Sequence, residues 1–421
     1  MKQPVESKRI VMATIGSLGD LHPILALGAE LKRRGHWVTV TTTGHYKDKV
    51  EGLGLGFHSL GPNWDPTDHD LIAECENLKT GTEVLLRKLV LPHLRETYDD
   101  LLAACLGADL LVAGELVYGA PLVSEKLGLH WVSEILSPCS FFSAYDPSLF
   151  VNIPNVYKLR KAGWFINRAV LDIGKLMTWH WWGPVRQLRR EEGLRVQCSP
   201  VFKDKFSRDL VLALFSPCLA QQQPDWPKST LQPGFIFYDR QKPKADENPG
   251  LTAFLAAGEA PIVFTLGSTA VYNPGNFYEA SMEAVRQLGR RAILIGVKPD
   301  GLASSEQVLM LPYAPYSEIF PRAAVIVHQG GSGTTGQAML AGRPQLFVPY
   351  GWDQPDNAVR IERQGAGLSV ARSEYSAETA AAALKQLLED ARFAARAAEI
   401  GTRMAKEDAL VASCDAIEAI L

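Results

Sequence analysis

Apolar residues run through this chain in short unbroken blocks, each followed by a polar turn and then a stretch with helical spacing. RIVMATIG (9–16) opens the pattern, and ILALGAEL (24–31) follows with apolar positions at helical period. The spacing predicts a helix from about Pro23 to Arg34, closed by Gly35. WVTVTTT (37–43), ADLLVAGE (108–115) and LVLALFS (210–216) read as further buried strands, and APLVSEKLG (120–128) as a helix. A second series begins at PIVFTLGS (261–268) and continues through AILIG, VLMLP, AVIVH and QLFVP. Apolar blocks of this length alternating with helices predict βαβ units and parallel sheets buried on both faces.

Residues 138–200 break the pattern. They are rich in aromatics (Phe141, Phe142, Trp164, Phe165, Trp179, Trp181, Trp182) and read as helices inserted in the first series. Residues 221–250, rich in Pro, Gln and charge, read as the linker between the two series. The expected organisation is therefore two Rossmann-like α/β domains, 1–236 and 237–405, facing a cleft. A C-terminal helix, about 406–421, is expected to pack back on the first. Ligands of open α/β sheets sit at the carboxyl ends of the strands.

Composition narrows the function classes. The chain has 421 residues, is 47% hydrophobic and carries a net charge of −3, so it has no electrostatic footprint for nucleic acid. The N-terminus has no signal-peptide h-region, and the six cysteines form no C-x-x-C pair, which points to a reduced, cytoplasmic protein. No apolar window is long enough to span a membrane.

Three turns carry candidate chemistry. His328-Gln329-Gly330-Gly331-Ser332-Gly333-Thr334-Thr335 follows a strand and opens a helix. Its glycines let backbone amides approach an anion, and the helix directs its N-terminal N–H groups at it. Asp353-Gln354 follows the next strand and can take vicinal hydroxyls as acceptor and donor, or cap the helix beyond. Gly16-Ser17-Leu18-Gly19-Asp20-Leu21-His22-Pro23 ends the first strand. Asp20 there is a candidate general base with His22 as rival, and a helix N-cap is the alternative. Tyr313 can stack on a nucleobase or anchor its loop, and the Thr265–Thr269 turn can touch phosphate or merely turn the chain. Asp68-His69-Asp70 matches D-x-D but sits in a polar loop, so no metal site is read.

These motifs, H-x-G-G-x-G-T in the second half and G-S-x-G-D-x-x-P in the first, resemble those of the inverting nucleotide-sugar glycosyltransferases of the GT-B fold, in the UDP-glycosyltransferase family. The likeness spans nearly the whole length and is strongest for a bacterial branch. FTLGST, QQQPDWP and DQPDNA are similar to fragments of its rhamnosyltransferase B members.

The resemblance implies a hexose donor such as UDP-glucose or dTDP-rhamnose, a hydrophobic small-molecule acceptor, and no metal or other cofactor. It implies Asp20 as the base. The donor would be held by Gly19, Ser268, Tyr313, His328, Gly330, Ser332, Gly333, Thr334, Asp353 and Gln354. Where plant members grip the ribose with a glutamate this chain has Gly336, which fits a nucleotide with fewer ribose hydroxyls, such as dTDP. The plant aspartate that supports the catalytic histidine is replaced by Gly114, with Glu115 beside it. The aromatic insert would form an apolar acceptor pocket with Phe141 and Trp182, and some of its tryptophans could make weak peripheral membrane contact. A non-catalytic nucleotide-sugar-binding protein of the same fold is the alternative. Nothing in the sequence specifies an oligomeric state.

Overall fold

The computed structural model of the chain describes residues 6–63, 65, 68–150, 153–196, 198–238, 249–296 and 304–421. Its contacts divide it into two compact units. The first comprises Met1–Asp68, Lys79–Tyr238 and Asp408–Leu421; the second comprises His69–Leu78 and Asp239–Glu407.

The first unit holds a seven-stranded sheet in the order β3-β2-β1-β4-β5-β6-β7. The strands are β1 (Arg9–Ala13), β2 (Trp37–Thr42), β3 (Gly56–Ser59), β4 (Leu110–Gly114), β5 (His130–Ile135), β6 (Leu210–Ala213) and β7 (Thr230–Leu231). Every pairing is parallel. Ile10 and Met12 of β1 enter one apolar cluster, and Val11 and Ala13 enter another on the opposite face. That double burial is why the strand reads as a continuous apolar run. The last helix, Ala409–Glu418, places Cys414 and Ile417 in the first of these clusters. Arg34 ties it down through Asp415 and Glu418, the latter at 2.8 Å.

The second unit repeats the plan with six parallel strands in the order β10-β9-β8-β11-β12-β13. They are β8 (Ile262–Thr265), β9 (Ala292–Ile295), β10 (Val308–Leu311), β11 (Val325–His328), β12 (Gln345–Phe347) and β13 (Gly367–Ser369). Both sheets reverse their strand order beside their first strand, between β1 and β4 and between β8 and β11. Two crossovers leave in opposite directions there and open a crevice at the carboxyl ends.

Two expectations change. The 221–250 stretch is not simply a linker: Thr230–Leu231 pairs with β6, and Trp226, Phe235 and Ile236 are buried. These apolar side chains draw a Pro-rich segment onto the first unit, and 239–248 lie outside the described residues. The first helix begins at Leu18, not near Pro23, because Ser17 caps it.

In the helix Gln354–Arg363 of the second unit, Arg360 and Asp356 form a fully buried ion pair at 2.7 Å. Arg360→Met should destabilise that unit by about 3–5 kcal/mol, because it breaks a buried ion pair by removing one partner. The urea midpoint for loss of the second unit reads this, and an unchanged midpoint would refute it.

Candidate active site

In the first unit the crevice is built around Asp20. Gly16 leaves β1 with φ +138°, and a side chain there would collide with the Asp20 carboxylate. Only glycine lets the chain take this turn so close to the carboxylate. Ser17 then caps the helix: its Oγ accepts from Gly19 N–H at 3.1 Å. In return, Asp20 Oδ2 accepts from Ser17 N–H at 2.8 Å and from Ser17 Oγ–H at 3.2 Å. Asp20 is therefore the third helical residue of a capping box, not the N-cap itself. Loss of water around the carboxyl pushes its pKa up to about 6, against the pull of the two Ser17 hydrogen bonds.

Two more carboxyls lie at the ends of the neighbouring strands. Glu115, just past β4, accepts from Ser140 Oγ–H at 2.9 Å and pairs with the buried Lys205 at 2.8 Å. Glu134 stands opposite Gly114 on β5. A side chain on Gly114 would lie 3.8 Å from Glu134 Oε2 and 3.5 Å from Thr14 Oγ1, both ordinary contact distances. Glu134 is 1% exposed, and its Oε1 has no hydrogen-bond partner. Burial, then the charges of Asp20 and Glu115, raise its pKa well above the ordinary value. It is a neutral acid beside the candidate base.

The second unit gathers its candidates on two turns. Gly330 has φ +97°, and a side chain there would stand 3.0 Å from Gln354 O and 3.1 Å from the Phe347 ring. This glycine lets the β11 and β12 turns touch. The helix Ser332–Leu340 then begins with no side-chain cap, and Gly333 opens onto free space. A helix N-terminus of this kind presents N–H groups and a dipole that suit an anion. Tyr316 Oη bonds Thr265 Oγ1 at 2.7 Å, fixing the end of β8 nearby. Ser268 lies in the turn just beyond, partly buried, while Tyr313 is largely exposed after β10.

Asp353 occupies the N-cap position but makes no capping bond; its Oδ2 accepts from Asn357 Nδ2 at 2.8 Å. The same Asn357 nitrogen donates to Gly330 O at 2.9 Å, so one buried amide ties the two turns together. Gln354 Oε1 accepts from Tyr350 N–H at 2.7 Å and Gly351 N–H at 3.1 Å, which shapes the loop. Trp352 in that loop is held at φ +54°, a costly conformation for a bulky residue. Gln329 Oε1, Thr335 Oγ1, Trp352 Nε1 and Asn357 Oδ1, all on these turns, are buried without a hydrogen-bond partner. Buried polar atoms are rarely left so, and their grouping here makes these turns a candidate ligand site.

Several expected contacts take a different form. His328 is wholly buried: Nδ1 accepts from Gly330 N–H at 3.1 Å and Nε2 faces Gln345 Oε1 at 2.9 Å. Burial lowers its pKa to about 4, so the ring is neutral and sets the turn from within. Phe141 and Trp182, expected to line an acceptor pocket, are core residues. Phe141 stacks on Trp226 at 3.9 Å and Trp182 meets Tyr118 at 5.4 Å, both buried. Aromatic rings this large gain more from mutual packing than from facing water.

Three residues escaped the sequence reading: Glu134, Asn357 and Glu76. Glu76 sits in the short segment that joins the second unit, accepts from Asn273 Nδ2 at 3.2 Å, and is pushed by burial up to about 7. Asn357 was findable, since it lies one helical turn beyond Asp353.

Residues 10–133 match the glycosyltransferase family 28 N-terminal domain, and residues 293–414 match the erythromycin biosynthesis protein CIII-like C-terminal domain. An O-mycaminosyltylonolide 6-deoxyallosyltransferase of Streptomyces fradiae is 31% identical over 424 residues, covering 97% of each chain. The chain is a GT-B glycosyltransferase of the family 28/EryCIII-like type. A sterol 3-beta-glucosyltransferase of Candida albicans is 27% identical over 99% of this chain, which spans 28% of that longer protein. Among solved structures, the glycosyltransferase of kitacinnamycin superposes with a TM-score of 0.73 at 20% identity, covering 99% of each chain. This glycosyltransferase is therefore a sugar-transferring enzyme, which sets aside the non-catalytic alternative.

Glu134 offers a direct test of the first unit's electrostatics. A carboxyl held neutral by burial binds its proton more tightly folded than unfolded. The stability it confers is complete below the ordinary carboxylate pKa and is lost as pH rises above it. Glu134→Gln should therefore gain melting temperature over the parent glycosyltransferase as pH rises above the ordinary carboxylate range. A difference that does not change with pH would show that Glu134 is not held neutral.

Proposed function

We propose that this glycosyltransferase moves a hexose from a nucleoside-diphosphate sugar to a hydroxyl of a bulky hydrophobic acceptor, in one displacement with inversion. The observation that carries the reading is Asp20. It is a carboxylate fixed by Ser17 at the switch point of the first sheet, with its pKa lifted to about 6. It is ionised at neutral pH, yet basic enough to take a proton as the acceptor oxygen attacks.

The balance of the step is simple. Asp20 takes the acceptor O–H proton and the acceptor oxygen bonds the anomeric carbon. The bond from that carbon to the pyrophosphate breaks, and its electron pair leaves with the nucleoside diphosphate. Charge on the leaving group is met by the N–H groups of Ser332, Gly333 and Thr334 and by the dipole of their helix. Within the second unit Asp353 and Gln354 hold sugar hydroxyls, with Ser268 adding to the polar lining and Tyr313 stacking on the base. Preorganised amides make the reaction metal-independent. Relatives named for a glycosylated tylonolide and for a sterol support a large apolar alcohol as acceptor. Gly336, at the position of a ribose-gripping glutamate, supports a thymidine over a uridine nucleotide, and with it dTDP-rhamnose.

Asp20→Asn should lower kcat by roughly 100- to 10,000-fold while leaving the thermal shift given by nucleoside diphosphate intact. Wild-type kcat/KM should fall on a single-proton limb below about pH 6. Near-normal turnover of the variant would remove Asp20 as the base. In a panel of diphosphates, dTDP should stabilise the enzyme more than UDP; the reverse order would refute the argument from Gly336.

A further inference from the structure

The helix Trp164–Thr178 of the first unit is amphipathic the wrong way round. One side faces the protein, where Asn167 is buried and donates to Ala144 O at 3.0 Å. The other side carries Phe165, Ile173, Leu176 and Met177, which are 73%, 58%, 77% and 70% exposed. Trp164 at its start and Trp179 just past its end are 53% and 51% exposed. A surface helix ordinarily turns its polar face outward, and a contiguous apolar stripe in water marks a docking surface.

Charge decides what docks there. The whole chain is net −3, yet residues 153–186 carry six Lys or Arg against a single carboxylate. That carboxylate, Asp172, is already neutralised by Arg168 at 3.2 Å and Lys175 at 3.1 Å. Lys158, Arg160 and Lys161 stand before the helix; after it, Arg186 lies over the Trp179 ring at 4.3 Å. Cations therefore flank both ends of an apolar stripe that begins and ends in tryptophan. A second copy of the chain would set this excess positive charge against itself across a twofold axis, which is repulsive.

We propose that the first unit docks on an anionic lipid surface through this helix. Phe165, Ile173, Leu176 and Met177 enter the acyl boundary, the two tryptophans sit at headgroup depth, and the flanking Lys and Arg meet lipid phosphates. The proposal stands on exposure and charge, and does not depend on the roles given to Asp20 or the donor turns.

Flotation of the full chain with vesicles tests it. The protein should float with phosphatidylcholine mixed with phosphatidylglycerol, less with phosphatidylcholine alone, and less as salt rises. The double substitution F165E/L176E lies on exposed positions, so folding and turnover of a water-soluble acceptor should be unchanged while partitioning falls at least about tenfold. Absence of flotation with the anionic vesicles would overturn the proposal, as would flotation that the double variant leaves intact. So would light scattering showing a dimer that the variant dissolves without any lipid binding, since the face would then belong to a second copy.

Discussion

A parallel strand buried on both faces can satisfy its backbone only through its neighbours, so its polar groups first become available where the strand ends. In both units this leaves chemistry to the carboxyl ends, and the reversal of strand order beside β1 and β8 leaves a gap there. Asp20 and Glu115 stand at one such gap, and the glycine turn after His328 stands at the other. Had the first helix started five residues later, where Pro23 suggests, Asp20 would lack the Ser17 cap that aims its carboxylate.

Burial at these ends creates a recurring electrostatic conflict, and each unit resolves it differently. Burial raises the pKa of Asp20, and the two hydrogen bonds it accepts from Ser17 oppose that rise and favour its charged form. Glu115 is paired with Lys205. Glu134, with an unpartnered oxygen and two acidic neighbours, gives its charge up. His328 does the same in the opposite sense, staying neutral inside its turn. A base flanked by a neutral acid is easier to sustain than two adjacent carboxylates, because only one of the pair need be ionised at neutral pH.

Much of the fold was legible in the chain because buried parallel strands leave long apolar runs. The strands that escaped were of two kinds. β3, β7 and β13 are short sheet edges with little to bury. β5 is central, but His130 and Glu134 break its apolar run. Glu134 thus hid both a strand and a site residue. The glycine turns were legible because φ above zero and close backbone approach leave only one residue type.

By itself the sequence determined the two doubly wound sheets, the glycine turn at 328–335 and the carboxylate at Asp20. These follow from local periodicity and from residues that only one conformation tolerates. Tertiary structure decided the rest: that Asn357 bridges Gly330 and Asp353, that His328 faces inward, and that Phe141 and Trp182 belong to the core. It also turned the apolar side of the helix Trp164–Thr178 outward. The physical reason is the same in each case. Hydrophobicity records how strongly a side chain avoids water, but only packing against distant segments decides which side chains find a place to do so.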